Sequence, residues 1–242
     1  TFRMSKKTLL FLDTETTGGL PEDRLCQICY KVDGKITSEF YKPPLPIKID
    51  SMVVHHITNE MVADKPAFID SPEFIELKEM LDSEGVLIAH NAKFDIAMIE
   101  KEGLEVKKFI DTYRVARHLD ADGKIPSYKL QYLRYFLGIV IDATAHDAKG
   151  DVLVLEQLFE RLITKLMEKE NLDHNEAVEK MIEISSTPVM FKMFNFGKYK
   201  GKTVTEVIAC DRNYCQWLLT EKKKNPEDEE DWIYTLETLL KV

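Results

Sequence analysis

The sequence predicts an α/β layer fold with a mixed β-sheet flanked by helices, followed by a small α+β module. Three observations lead there: apolar strands in a meander at the start, strands alternating with helical patterns after residue 70, and one long amphipathic helix over 151–170. TLLFLD (8–13) reads as a buried strand, RLCQICYKVD (24–33) as a second and ITSEFYKP (36–43) as a third, with Asp33-Gly34 as the turn between the last two. PEFIELKEMLDSE (72–84) spaces Phe74, Leu77 and Leu81 helically, and VLIAHN (86–91) is a short apolar strand. Helical patterns then cover 95–101, 113–118 and 130–137, with FIDT (109–112) extended between the first two. A meander joined to βα alternation gives a sheet with both strand senses.

The helix over 151–170 carries Val152, Leu155, Leu158, Phe159 and Leu162 on one stripe, and should close the first domain. The expected division is a first domain over 5–170, a helical connector over 171–188 and a module over 189–242. In that module FNFGKYKGKTVTEV (194–207) suggests a hairpin around Gly197 and Gly201, then a helix through 219. Phe194, Phe196, Tyr214 and Trp217 are expected to form its core. Lys198, Lys200 and Lys202 are candidate nucleic-acid contacts.

Composition narrows the class. With 44% hydrophobic and 31% charged residues, the 242-residue chain is ordinary globular material. No run approaches the roughly 18 apolar residues of a membrane span, and the N-terminus lacks a secretory layout, so a cytoplasmic protein without a membrane role is expected. Four cysteines are too few for a disulfide scaffold; Cys26 and Cys29 sit three apart on a strand, pointing to opposite faces, and read as structural. The net charge of −9 argues against coating nucleic acid by bulk electrostatics. Locally, residues 107–134 hold seven basic side chains against three acidic ones, a candidate phosphate-tracking surface or an ordinary solvated face.

The chemistry-bearing residues are acids. In FLDTETTG (11–18), Asp13 and Glu15 stand two apart on a strand and so share a face. Like charges beside an apolar sheet resist desolvation unless a cation neutralises them, and carboxylate oxygens suit Mg²⁺ or Mn²⁺. Asp95 and Asp151 each stand near a helix start, where capping alone could explain them. His146 lies five residues before Asp151, on the preceding loop. Phe94 is expected in the core.

Together these segments resemble a known family. FLDTETTG, VLIAHNAKFD (86–95) and AHDAKGDVLVLEQLF (145–159) resemble the three exonuclease motifs of the DEDDh, or DnaQ-like, nucleases, and VVHHITNEMV (53–62) and FIDTYRVAR (109–117) resemble connecting elements of that family. FGKYKGKTVTEVIACDRNYCQWLL (196–219) resembles a module found in exonuclease X-like proteins. Position 147 is Asp, which keeps the chain with the histidine rather than the tyrosine form of the superfamily. Two departures stand out: Gly19 precedes Leu20 after TETTG, and His56 stands where relatives commonly carry glycine.

The resemblance implies a ribonuclease H-like fold and 3′-to-5′ hydrolysis of DNA to nucleoside 5′-monophosphates. It implies two Mg²⁺ (or Mn²⁺) held by Asp13, Glu15, Asp95 and Asp151, with Asp13 bridging, and His146 as general base. Thr16 and Leu20 are expected near the terminal nucleotide; His90 and Asn91 are candidates for substrate or local backbone contact. The expected partner is nucleic acid, with DNA 3′ ends favoured over RNA; protein partners and oligomeric state stay open. Alternatives are a proofreading subunit like the epsilon subunit of bacterial DNA polymerase III, an RNA-trimming exoribonuclease, and an inactive nucleic-acid-binding module, against which five intact site residues speak.

Overall fold

A computed structural model describes residues 7–120, 123–141, 148–226 and 229–241. The chain divides into two compact units, one formed by residues up to 119 together with 126–185, the other by 120–125 and 186–242. The first holds a five-stranded sheet of order β3-β2-β1-β4-β5. Its strands are β1 (Leu9–Thr16), β2 (Leu25–Val32), β3 (Lys35–Phe40), β4 (Val86–Ala89) and β5 (Phe109–Asp111). β1 to β3 form the antiparallel meander, while β4 and β5 add in parallel to β1, making the mixed sheet the sequence pattern requires.

β1 is the central strand, so both of its faces are covered. Leu10 and Leu12 belong to a core with Leu77 and Leu81 of helix α3 (Pro72–Asp82) and Ile99 of α4 (Lys93–Lys101). Two shorter helices, α1 (Ile49–His55) and α2 (Asn59–Val62), precede α3 in the chain. On the other face, Phe11 meets Phe159 edge-on with centroids 5.4 Å apart. Phe159 lies on α7 (Ala148–Glu170), whose stripe at 152, 155, 158, 159 and 162 is fully buried. Helices α5 (Thr112–Leu119) and α6 (Leu130–Phe136) pack beside α7. α3 starts cleanly because the Ser71 hydroxyl accepts from the Phe74 N–H and Pro72 needs no donor.

Several expectations change here. α8 (His174–Ser185), expected inside a connector, buries Ala177, Val178, Met181 and Ile184 and packs on β5, α5 and α7, so it belongs to the first unit. Phe94 is 37% exposed rather than in the core, since the first turn of α4 directs it outward. The basic stretch 107–134 is not one surface: Arg114 and Arg134 are buried, and the Arg114 guanidinium donates to the Ser185 carbonyl at 2.8 Å.

In the second unit the expected hairpin contracts to a single bridge, Met193 with Thr203, around a 3₁₀ turn at Gly197–Tyr199. The helix expected through 219 is two, α9 (Val204–Cys210) and α10 (Arg212–Lys222), because Asp211 leaves helical geometry and accepts from the Tyr214 N–H to start the second. α11 (Glu230–Leu240) packs on α10. Phe194 is buried at the centre, stacked on Trp232 at 5.0 Å. Trp217, expected in that core, is 56% exposed.

The His56 substitution has a local physical meaning. His56 caps α1 in the left-handed region with φ 61°, where its N–H donates to Met52, and its side chain is exposed. A Cβ is unfavourable in that conformation, which glycine accepts freely. His56→Gly is expected to raise stability by about 1 kcal/mol, the left-handed penalty less the entropy glycine adds to the unfolded chain, read as a higher urea midpoint with unchanged slope.

Candidate active site

Strand alternation puts Asp13 and Glu15 on the same face of β1 as Phe11, the face covered by α7. Asp151 lies in the first turn of α7, where the helix dipole favours an acid, and thereby faces the strand pair. The same alternation turns Thr14 to the α4 side. Its N–H and hydroxyl both donate to Asp95 Oδ1, at 3.0 and 2.8 Å. The reason is an accounting one. β4 pairs with β1 only as far as Phe11, so the Thr14 N–H has no strand partner, and the Asp95 carboxylate takes the place of the missing ladder.

The four acids therefore arrive from three elements at the end of the central strand, and they repel. Asp13 is pushed well above the carboxylate range, first by burial and then by the charges of Asp95, Glu15 and Asp151. Glu15 is raised to about 7 by burial and then by Asp151 and Asp95. Asp95 also rises to about 7, burial outweighing its two bonds from Thr14. Hard anionic oxygens that resist ionisation together fit a divalent cation, which would remove both penalties. Among the described residues, however, no group of three or more His, Cys, Asp or Glu side chains is close enough as it stands to cage an ion. Two of the acids are engaged elsewhere: Asp95 by Thr14, and Asp151 by the Gln131 amide, which donates to its Oδ1. Ion binding would draw carboxylates together and exchange at least the Gln131 contact.

Behind this cluster lies a support that residue patterns did not single out. The Asp111 carboxylate accepts from the Asn91 and Tyr113 N–H groups at 2.9 and 3.0 Å, fixing the turn between β4 and α4. Burial raises its pKa to about 6 despite those bonds. Asn91 sits at φ 64°, a conformation asparagine tolerates better than most residues. The His90 ring lies inside: Nε2 must donate to the Tyr128 carbonyl at 2.7 Å, so Nδ1 accepts from the Thr112 hydroxyl at 2.8 Å. Burial pushes its pKa down to about 4, keeping it neutral. Both ring nitrogens of His90 are thus engaged within the fold.

The loop after β1 is latched just as firmly. Asp23, fully buried, accepts from the Thr17 hydroxyl (2.8 Å), the Leu20 N–H (2.8 Å) and the Lys48 ammonium (2.7 Å). Gly18 is required there, because a Cβ would lie 2.3 Å from Asp23 Oδ2. The Thr16 hydroxyl donates to the Gly18 carbonyl, and the Thr16 carbonyl accepts from His55 Nε2 at 3.0 Å. This frame presents Leu20, 55% exposed, while Gly19 has open space around it. His146 lies outside the described residues. Lys198, Lys200 and Lys202 belong to the second unit and are exposed, Lys198 being ion-paired with Asp211 at 3.0 Å. Asp23, Thr14, Asp111 and Gln131 escaped the sequence reading because each acts through a partner distant in the chain; only the TETTG context hinted at Thr14.

These shifts carry a stability consequence. Glu15 titrates near 7 in the folded chain against a usual 4.5, so the folded state holds a proton the unfolded state has lost. Its contribution is fully present below about 4.5 and is lost as pH rises through 7. In the presence of a chelator, Glu15→Gln should therefore unfold at a higher temperature than wild type at pH 8, by about 1–3 kcal/mol in stability, with the gap closing at pH 4.5. A gap independent of pH would contradict the assignment.

Known proteins resemble this chain over most of its length. The Exonuclease family model matches residues 10–159, and an Exodeoxyribonuclease X-like C-terminal model matches 194–223. Exodeoxyribonuclease 10 of Escherichia coli (strain K12) is 30% identical over 217 residues, covering 87% of this chain and 90% of that protein. The DNA polymerase III subunit epsilon of Treponema pallidum is 32% identical over 163 residues, covering 62% of this chain and 74% of that protein. Among solved structures, Exonuclease X in complex with 5′ overhanging duplex DNA superposes with TM-score 0.56 at 24% identity, over 74% of this chain and 99% of that one. E. coli Exonuclease I in complex with a dT13 oligonucleotide gives 0.58 at 19%, over 69% and 43%. The ribonuclease H-like sheet is thus shared, and the chain belongs to the exonuclease family, as a hydrolase of the 3′–5′ class.

Proposed function

We propose that the protein trims DNA from 3′ ends, releasing nucleoside 5′-monophosphates, with Asp13, Glu15, Asp95 and Asp151 holding a pair of Mg²⁺ or Mn²⁺ ions. The observation that carries this reading is the convergence of those acids at the buried end of β1, where burial raises Asp13, Glu15 and Asp95 above ordinary carboxylates and the neighbouring acids push Asp13 and Glu15 further. Divalent ions, when bound, would neutralise phosphodiester charge and stabilise the leaving 3′-oxygen. The chain supplies the rest. Asp13 feels all three other acids and is the natural shared ligand. His146, five residues before Asp151 and carried on the preceding segment, would accept the proton of the attacking water, a task suited to an imidazole titrating near neutrality. Leu20 stands exposed on a loop locked by Asp23, where it can meet a terminal base.

DNA is favoured over RNA because the curated relative Exodeoxyribonuclease 10 is matched along nearly its whole length, and because the solved neighbours include DNA complexes. The C-terminal match supports a stand-alone nuclease over a polymerase-bound proofreader.

The test is incubation with Mg²⁺ of DNA and RNA strands of one sequence, labelled at the 5′ end in one set and the 3′ end in another. A descending ladder from 5′-labelled DNA, with labelled mononucleotide released from the 3′-labelled strand, is expected. Asp13→Ala should leave no measurable turnover, and normal activity in that variant would sink the metal assignment. His146→Ala should lose on the order of 10²- to 10⁴-fold in rate; a loss under threefold at neutral pH would remove it from the mechanism.

A further inference from the structure

The second unit carries a surface that the hydrolytic reaction does not use. Trp217 on α10 is more than half exposed, and its ring lies 5.6 Å from Tyr214; Tyr214 in turn lies 5.0 Å from Tyr199 in the 3₁₀ turn. The result is a continuous three-ring ladder that ends in an exposed indole. The ladder is held rigid: the Tyr199 hydroxyl donates to Asp211 at 2.6 Å, and Lys198, bound to the same carboxylate, lies 4.7 and 4.8 Å over the Tyr199 and Tyr214 rings.

Charge identifies the partner. Residues 186–242 hold nine basic and nine acidic side chains, but the basic ones are concentrated in 192–224, which carries eight of them against three acids. Lys222, Lys223 and Lys224 are paired with Glu229, Glu237 and Glu221, and Lys198 with Asp211. Lys200 and Lys202 are exposed, with no ion pair among the described residues, and Lys202 approaches the Tyr199 ring at 5.9 Å. Lys202 beside the Tyr199 end of the ladder, and Lys200 next to Tyr199 in the chain, bring to one unit what a single nucleic-acid strand requires, phosphate contacts and a base-stacking surface.

We infer that this unit is a single-strand DNA platform, with Trp217 stacking a base and Lys200 and Lys202 contacting phosphates, while Lys198 serves the scaffold. The choice of DNA rests on the exonuclease reading. Binding of a 5′-fluorescent twelve-residue oligothymidylate to the full chain is to be measured by anisotropy in EDTA, where hydrolysis is not needed. Trp217→Ala should weaken binding on the order of 5- to 100-fold, the worth of one stacked base. Trp217→Phe should stay within about threefold, because a phenyl face still stacks, yet should abolish the quenching of intrinsic fluorescence by DNA, since the chain's other tryptophan, Trp232, is buried. The double change Lys200→Ala, Lys202→Ala should lower the slope of log affinity against log salt by about 1.4, two single-strand phosphate contacts.

Hydrolysis of the p-nitrophenyl ester of thymidine 5′-monophosphate, which offers no strand for a platform to hold, separates the two readings. It should be unchanged in all three variants. Unaltered DNA affinity and salt slope in Trp217→Ala and in the lysine variant would overturn the platform even if the ester is cleaved. Failure of wild type to cleave either ester or DNA would strike the nuclease reading instead, with the anisotropy measurement still deciding the platform.

Discussion

Repulsion among Asp13, Glu15, Asp95 and Asp151 is the constraint around which the first unit is organised. Left to itself, such a cluster would push strand and helices apart or move into water. It is retained because its carriers are anchored elsewhere. Asp13 and Glu15 ride on the central strand, whose preceding residues are buried on both faces. Asp151 is at the start of a 23-residue helix whose apolar stripe is clamped to the sheet, with Lys31 of β2 also bound to Glu156 at 2.6 Å. The apolar contacts hold together what the acids would separate. Under the proposed function, that is the pattern of a site kept strained at the expense of local stability.

The second requirement is that an acid from a separate element be held where β4 gives out. The two bonds from Thr14 to Asp95 do this, and they also lower the cost of Asp95's burial without removing it. A single threonine thus satisfies an orphaned strand amide and positions a carboxylate. A valine would keep the β-strand shape but leave only the backbone donor. The engagement of Asp151 by Gln131 belongs to the same logic: a neutral amide donor occupies an acid that would otherwise face other acids unshielded.

Much of the fold was legible because the sheet strands and the longer helices declare themselves within a few residues, whereas α1 and α2 gave no such signal. The alternation in TLLFLD, the Asp33-Gly34 turn and the stripe from Val152 to Leu162 are local signals, and all mark elements that are present. The site was legible for a different reason, as Asp13, Glu15, Asp95 and Asp151 sit in motif contexts that no one of them carries alone. What stayed hidden depends on distance in the chain. Nothing near Asp23 announces that Thr17, Leu20 and Lys48 converge on it. Trp217 was misplaced because helical spacing cannot tell which face of a short helix a three-helix unit will cover, and here Cys215, Leu218 and Leu219 take the interior. The hairpin around Gly197 was over-extended because two glycines with positive φ suit a 3₁₀ turn and a single bridge as well as a ladder.

The reassignment of α8 shows how far such long-range dependence reaches. Residues 171–188 look like a connector by composition, yet the Ser185 hydroxyl is bonded to the Asp111 N–H at 2.8 Å and its carbonyl to Arg114. Asp111 in turn holds the Asn91 N–H, and so the turn from which α4 departs with Asp95 in its first turn. The path from the end of α8 toward a candidate site carboxylate thus runs through hydrogen bonds, those of Ser185 buried and that of Asn91 part-buried. Each of those groups would be left unpaired if α8 moved away, at a cost of about 1–3 kcal/mol apiece. A segment that seems to separate two units is therefore part of the frame that keeps Asp95 in reach of Thr14, and the nuclease unit ends at Ser185 rather than at residue 170.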